Sequence, residues 1–80
     1  MNEAAIHTIL SRLLLGGALP GGTKLGEHRL AEIFGVSRER VRKVLHRLGH
    51  ERLLEIVRNR GAFTIEPDLR EGRVVYEARR

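Results

Sequence analysis

Gly35-Val36-Ser37-Arg38-Glu39-Arg40-Val41-Arg42-Lys43-Val44-Leu45 decides the fold of this chain. Gly35 suits the left-handed residue that closes a helix, and Ser37 is a good N-cap for another, with Glu39 complementing the helix dipole. Beyond Ser37, Val41, Val44, Leu45 and Leu48 fall at i, i+3, i+4 and i+7, which defines one buried stripe. The side chains off that stripe are then fixed: Glu39, Arg42, Lys43 and His46 lie on or near the opposite face, flanked by Arg38, Arg40 and Arg47. So many cations on one short helix repel one another, a cost that a bound polyanion offsets.

The charge balance has the same focus. The formal net charge is +5, and the stretch from Arg38 to Arg60 supplies all of it, with eight Arg/Lys against three Glu. The remaining residues carry seven basic and seven acidic side chains, which cancel. A segregated basic block of this kind points to a polyanion, duplex DNA first.

Upstream, Glu27 to Phe34 reads as a helix with Leu30, Ile33 and Phe34 facing inward and small Ala31 allowing close approach of a neighbour. Ile6, Ile9, Leu10, Leu13 and Leu14 predict an earlier helix that Gly16 and Gly17 end. Between them, Leu19-Pro20-Gly21-Gly22-Thr23 is a turn, and Lys24-Leu25 a short extended exit from it. Downstream, Leu53 to Val57 and Ala62 to Ile65 are β-prone runs around Arg58-Asn59-Arg60-Gly61, which predicts a two-stranded hairpin with a cationic tip. Pro67 interrupts the pattern, and Asp68 to Arg80 resumes helical spacing.

The expected fold is therefore mainly α with a small β-hairpin: a winged helix-turn-helix with a three-helix core and a two-stranded wing. In such a fold the third helix can enter the major groove, about 12 Å wide, while the hairpin tip lies on the flanking backbone or minor groove.

Composition excludes other classes. Eighty residues make one small domain whose apolar positions, 41% of the chain, are committed to the core, leaving little for a deep catalytic pocket. Cysteine is absent, so no disulfide or thiolate metal site is available. No Gly-rich phosphate loop or paired acid-base constellation appears, and Ser11 and Ser37 have no evident base, so no enzyme is expected. His46 and His50 lie four apart without a third ligand nearby, which reads as a surface pair, and no metal or cofactor is expected in this chain. The longest apolar run, Leu13-Leu14-Leu15, is far short of a membrane span, and the expected location is cytoplasmic.

The residues also resemble a known family. Leu25-x-Glu27-x-x-Leu30-Ala31-x-x-Phe34-Gly35-Val36-Ser37-Arg38-x-x-Val41-Arg42-x-x-Leu45-x-x-Leu48, followed by Leu53-x-x-Ile56 and Asn59-Arg60-Gly61-Ala62-Phe63, is similar to the GntR family of bacterial transcription regulators. The likeness runs from about Ile6 to Ile65 and spans helix, turn, helix and wing. It implies a winged-helix DNA-binding domain over residues 1–66, with the helix-turn-helix at about 30–49 and the wing at about 53–65. Residues 67–80 then form a linker and the start of a truncated effector-binding helical domain, since Asp68-Leu69 through Arg80 resembles the opening helix of the FadR-like (FCD) branch. In full-length relatives that domain binds a small metabolite and dimerises, so homodimers on a palindromic double-stranded operator are implied, with this chain alone monomeric.

For individual positions the resemblance implies contacts from Ser37 at the start of the recognition helix, and base-reading or phosphate-contacting roles for Arg38 and Arg42. His28 matches a backbone-contacting position, and Arg58, Asn59, Arg60 and Gly61 match the wing tip. Glu39 can accept from cytosine N4, while Lys43 and Arg47 are expected near phosphates, a solvated basic face being their plain alternative.

Three departures stand out. Glu51-Arg52 replaces the usual Glu-Gly before the wing, the nearest glycine being Gly49; Lys43-Val44 stands where Glu-Ala is frequent, and Glu39-Arg40 where Thr-Pro is frequent. The last two place extra charge beside the groove, so the family's common sequence preference does not transfer.

Two further uses of the fold remain open on the sequence. One is a protein-interaction module whose basic face docks an acidic partner. The other is RNA binding, disfavoured because Phe34, Phe63 and Tyr76 are the only aromatic residues and two of them fall in the core pattern.

Overall fold

A computed structural model describes residues 1–68 and 75–76 of the chain. Helix α1 spans Glu3–Leu15, strand β1 Lys24–Leu25, helix α2 Glu27–Phe34 and helix α3 Arg38–His50. Strands β2 (Leu54–Val57) and β3 (Gly61–Thr64) follow, then the short strands β4 (Pro67–Asp68) and β5 (Val75–Tyr76).

Local chemistry sets the helix ends. Asn2 caps α1, its Oδ1 accepting from the Ala5 N–H at 2.8 Å. Gly35 closes α2 at φ 67°, a left-handed conformation that glycine enters without the Cβ penalty. Two residues later the Ser37 hydroxyl accepts from the Arg40 N–H at 3.2 Å and starts α3. The expected three-residue break between the helices is thus observed, with both caps in place.

The core is built from α1 and α2 packed on α3, with the sheet closing one end of α3. Val41, Val44, Leu45 and Leu48 are all buried, which fixes α3 in the roll its sequence stripe demands. In α1, Ile6 and Leu10 are buried and Leu14 is half-buried against them, whereas Ile9 and Leu13 are substantially exposed. The buried line follows i, i+4, i+8 because α1 packs chiefly on α3, so its inward face is narrower than its apolar composition. A sharper correction concerns Ile33, which is 63% exposed rather than inward-facing. Ala31 is the buried residue of α2, and two residues along a helix is about 200° of rotation, which turns Ile33 to solvent.

The wing has three strands instead of two. The sheet order is β1-β3-β2, all antiparallel, with Leu54 opposite Thr64 and Val57 opposite Gly61 on one side of β3. On its other side Lys24 pairs with Phe63 and Leu25 with Ala62. The turn before β1 is tied in by Thr64, whose buried hydroxyl donates to the Pro20 carbonyl at 2.6 Å and accepts from the Thr23 N–H at 2.8 Å. Buried polar groups need such partners, so this threonine locks the turn to the wing.

Where α3 leaves for β2 the chain makes a Schellman closure. The Arg52 N–H donates to the Gly49 carbonyl at 3.0 Å and the Leu53 N–H to the Leu48 carbonyl at 2.9 Å. Arg52 sits at φ 65°, the left-handed conformation ordinarily given to glycine. Gly49 meets a different need: a Cβ there would lie 2.5 Å from Ile56 Cγ1, so β2 packs directly on the helix at this point. Replacing Arg52 with glycine is expected to stabilise the fold by about 1 kcal/mol through relief of the left-handed strain. Urea denaturation checks it, and a lower midpoint for Arg52→Gly would contradict the strain argument.

Beyond the wing, Pro67–Asp68 pairs antiparallel with Val75–Tyr76. Asp68, Val75 and Tyr76 are thus extended where the spacing after Pro67 suggests a helix, because their backbone groups pair between strands rather than along one segment. The rest of the expected effector-domain helix, residues 69–74 and 77–80, lies outside the described residues.

Candidate nucleic-acid interface

The outward face of α3 is as cationic as its sequence predicts. Arg38, Glu39, Arg40, Arg42, Lys43, His46 and Arg47 are all exposed. This face does not act as one unit, because the fold divides it.

The stretch of α3 from Arg38 to His46, the start of α2 and the wing line a concave groove. Arg38, Arg42 and His46 line it from α3, Glu27 and His28 from α2, Lys24 from β1, and Arg58, Asn59, Arg60 and Gly61 from the wing tip. The tip is shaped by Asn59 at φ 63° and by the Arg60 N–H donating to the Val57 carbonyl at 3.0 Å, a turn that asparagine tolerates at its third position. Gly61 lets Lys24 cross the wing, since a Cβ there would stand 3.2 Å from Lys24 Cε.

Of the residues singled out by sequence, His28, Arg38, Arg42, Arg58, Asn59, Arg60 and Gly61 converge on this groove. Ser37, Glu39, Lys43 and Arg47 do not line it. Ser37 has its hydroxyl engaged in capping α3. Arg47 points to the far end of the helix, where its Nε donates to Glu51 Oε2 at 3.3 Å and the other oxygen of Glu51 meets His7 Nε2 at 2.6 Å. The His7 and Arg47 hydrogen bonds hold the Glu51 carboxyl below the usual glutamate range.

Glu27, Lys24 and His46 are groove residues that the sequence reading did not place there. Glu27 matters most. Its two carboxylate oxygens accept from Arg42, Nε at 2.8 Å and Nη2 at 3.0 Å, and Arg38 Nη2 lies 3.9 Å from the same side chain. The Arg42 hydrogen bond holds the Glu27 carboxyl below its ordinary value, and Glu27 in turn raises that of Arg42. A depressed carboxyl stays charged well into mild acid, and the ion pair is lost only as pH falls through that lowered value. Glu27 and Arg42 are fifteen residues apart and on different helices, so only the helix-turn-helix topology brings them together.

His28, exposed at the groove edge, has Glu32 3.9 Å away on the next turn. Among the described residues no group of three or more His, Asp or Glu could hold a metal, and no helix is long and apolar enough to cross a membrane.

The sequence profile described as "Bacterial regulatory proteins, gntR family" matches residues 2–64, the whole span from the cap of α1 to the end of the wing. The chain belongs to the GntR family. As a GntR-family domain it is a DNA-binding transcription regulator of non-enzymatic type, with a winged helix-turn-helix of three helices and a three-stranded sheet. No curated protein matches the sequence.

Proposed function

We propose that this GntR domain binds a specific DNA operator by placing α3 in the major groove and the wing tip on the adjacent minor groove or backbone. The observation that carries the reading is the shared concavity: Arg38 and Arg42 on the helix and Arg58, Asn59 and Arg60 on the wing face one groove. Thirteen residues of α3 extend about 20 Å, enough to cross a groove about 12 Å wide. Arg38 and Arg42 are the base readers, each able to donate two bonds to guanine O6 and N7. Glu39 is suited to accept from cytosine N4. His28, Ser37, Lys43 and Arg47 act on the backbone, as do the wing cations, fixing register without reading sequence.

The same reading takes residues 1–66 as the DNA-binding domain and residues 67–80 as the linker into an FCD-type effector domain. Two copies of the full-length form meet a palindromic operator, and a small metabolite regulates them through the effector domain. A cytoplasmic location follows from that role.

Selection of bound sequences from a random duplex pool tests the proposal, and an enriched site is the expected result. With that site in hand, Arg38→Ala should lower operator affinity by about 1–3 kcal/mol more than affinity for scrambled duplex, whereas Lys43→Ala should lower both alike. Equal losses for Arg38→Ala on the two DNAs would remove its base-reading role. A basic face evolved for an acidic protein partner would leave bulk duplex unretarded in a low-salt gel shift.

A further inference from the structure

We infer that Glu27 is a specificity-determining positioning residue: it fixes which edge of the Arg42 guanidinium faces the groove, and therefore what Arg42 can read. This rests on the DNA-binding reading above and goes beyond it, since Glu27 itself has no assigned contact there.

An arginine carries five N–H donors in a rigid planar fork. Arg42 gives Nε and one Nη2 hydrogen to the two oxygens of Glu27, at 2.8 and 3.0 Å, which occupies one whole edge of the fork. Three donors remain: one on Nη1 and the second on Nη2 point together off the end of the guanidinium, away from the carboxylate, and the other Nη1 hydrogen turns back toward Cδ. That end is the one bidentate geometry left to Arg42, and it matches guanine O6 and N7.

Glu27 is well placed to hold this orientation. It is the first residue of α2, its side chain is 27% exposed against 53% for Arg42, and α2 packs on α3. The arginine plane is therefore set before DNA arrives, so less rotamer freedom is lost on binding. The carboxylate has a second effect. It cancels the charge of Arg42 towards phosphate, so the pair contributes little to non-specific attraction while keeping its directional donors. An ion pair with only a structural role would not separate the two kinds of binding.

The test measures affinity of the 80-residue chain for its selected operator and for a scrambled duplex of equal length, with melting temperatures alongside. Glu27→Gln, which turns one acceptor into a donor facing Arg42, should lower the operator-to-scrambled ratio about tenfold, with scrambled affinity equal or higher. Arg42→Ala should lower the ratio similarly, and the double variant should fall no further than Arg42→Ala alone, because Glu27 acts through Arg42. An unchanged ratio in Glu27→Gln overturns the inference, as does a double variant whose losses add. If Glu27→Gln melts below the assay temperature, Glu27→Asp carries the same test, since it keeps the charge but retracts the oxygens; there the ratio should still fall. Wild-type protein with no operator preference would sink the DNA-binding reading, whereas a preference that Glu27→Gln leaves intact removes only the positioning role.

Discussion

Raising monovalent salt from 50 to 200 mM is expected to weaken DNA binding by about a thousandfold per half-site, with a log–log slope of about −5. The magnitude follows from which cations the fold leaves free. Lys24, Arg38, Arg40, Lys43, Arg58 and Arg60 are exposed on the groove, its rim or α3, and among the described residues no carboxylate stands within ordinary hydrogen-bond distance of any of them. Arg42 and Arg47 are discounted because Glu27 and Glu51 already neutralise them, so Arg47 meets the backbone as a hydrogen-bond donor without releasing a counterion. Five of these on phosphates, with Arg38 on a base edge, release about 4.5 counterions at about 0.9 each, which rounds to the stated slope. Titration of a fluorescent duplex at four salt concentrations measures it. A slope steeper by two would mean that both paired arginines open to reach phosphate; a slope near zero would remove the electrostatic basis of the interface.

Leu48→Ala should be the most damaging single substitution in the core, costing about 2–5 kcal/mol. Leu48 is completely buried, and its carbonyl also accepts from the Leu53 N–H in the closure that launches the wing. A domain of this size has a stability near the lower end of about 5–15 kcal/mol, so such a loss leaves a large fraction unfolded at physiological temperature. The control is Ile33→Ala on α2, also an aliphatic truncation on a helix, which should shift stability by no more than about 0.5 kcal/mol because Ile33 is 63% exposed. Circular dichroism melting separates them: Leu48→Ala should lose on the order of 10–20 °C and Ile33→Ala a degree or two. Similar losses in both would mean that α2 and α3 are not packed as described.

The contrast between Leu48 and Ile33 also shows how far the chain can be read without coordinates. In α3 the hydrophobic period and the burial agree at every position, because that helix is sandwiched by α1, α2 and the sheet and its whole stripe is covered. In α1 and α2 periodicity overstates the buried face. Ile9, Leu13 and Ile33 are apolar and correctly spaced, yet each helix packs chiefly on α3, and which part of the stripe is covered depends on where α3 lies. The third strand of the wing was visible only as an extended dipeptide, since Lys24-Leu25 gains strand character by pairing with β3, residues 61–64, far along the chain.

For the interface, the helical arginines and the wing tip were legible because local spacing sets which way they face. Their convergence with Lys24 and Glu27 was not, and the separation of Arg47 from the groove was equally hidden, since it depends on a carboxylate at Glu51 that also engages His7 of α1. The exit of α3 is intermediate. A departure at Arg52 was readable from the missing glycine, but that the chain keeps the left-handed closure regardless, with arginine carrying the strain, is a result of the tertiary fold.

Chain-local chemistry thus accounts for the three helices, the Gly35 closure and Ser37 cap between two of them, the buried stripe of α3 and the concentration of positive charge between Arg38 and Arg60, because these follow from backbone chemistry and periodicity within a few residues. Packing between elements sets which cations share a groove, which are already paired, and that a carboxylate on α2 holds one edge of an arginine on α3. The reason is range: capping and amphipathicity act over one or two helical turns, whereas ion-pair geometry depends on how separate elements pack.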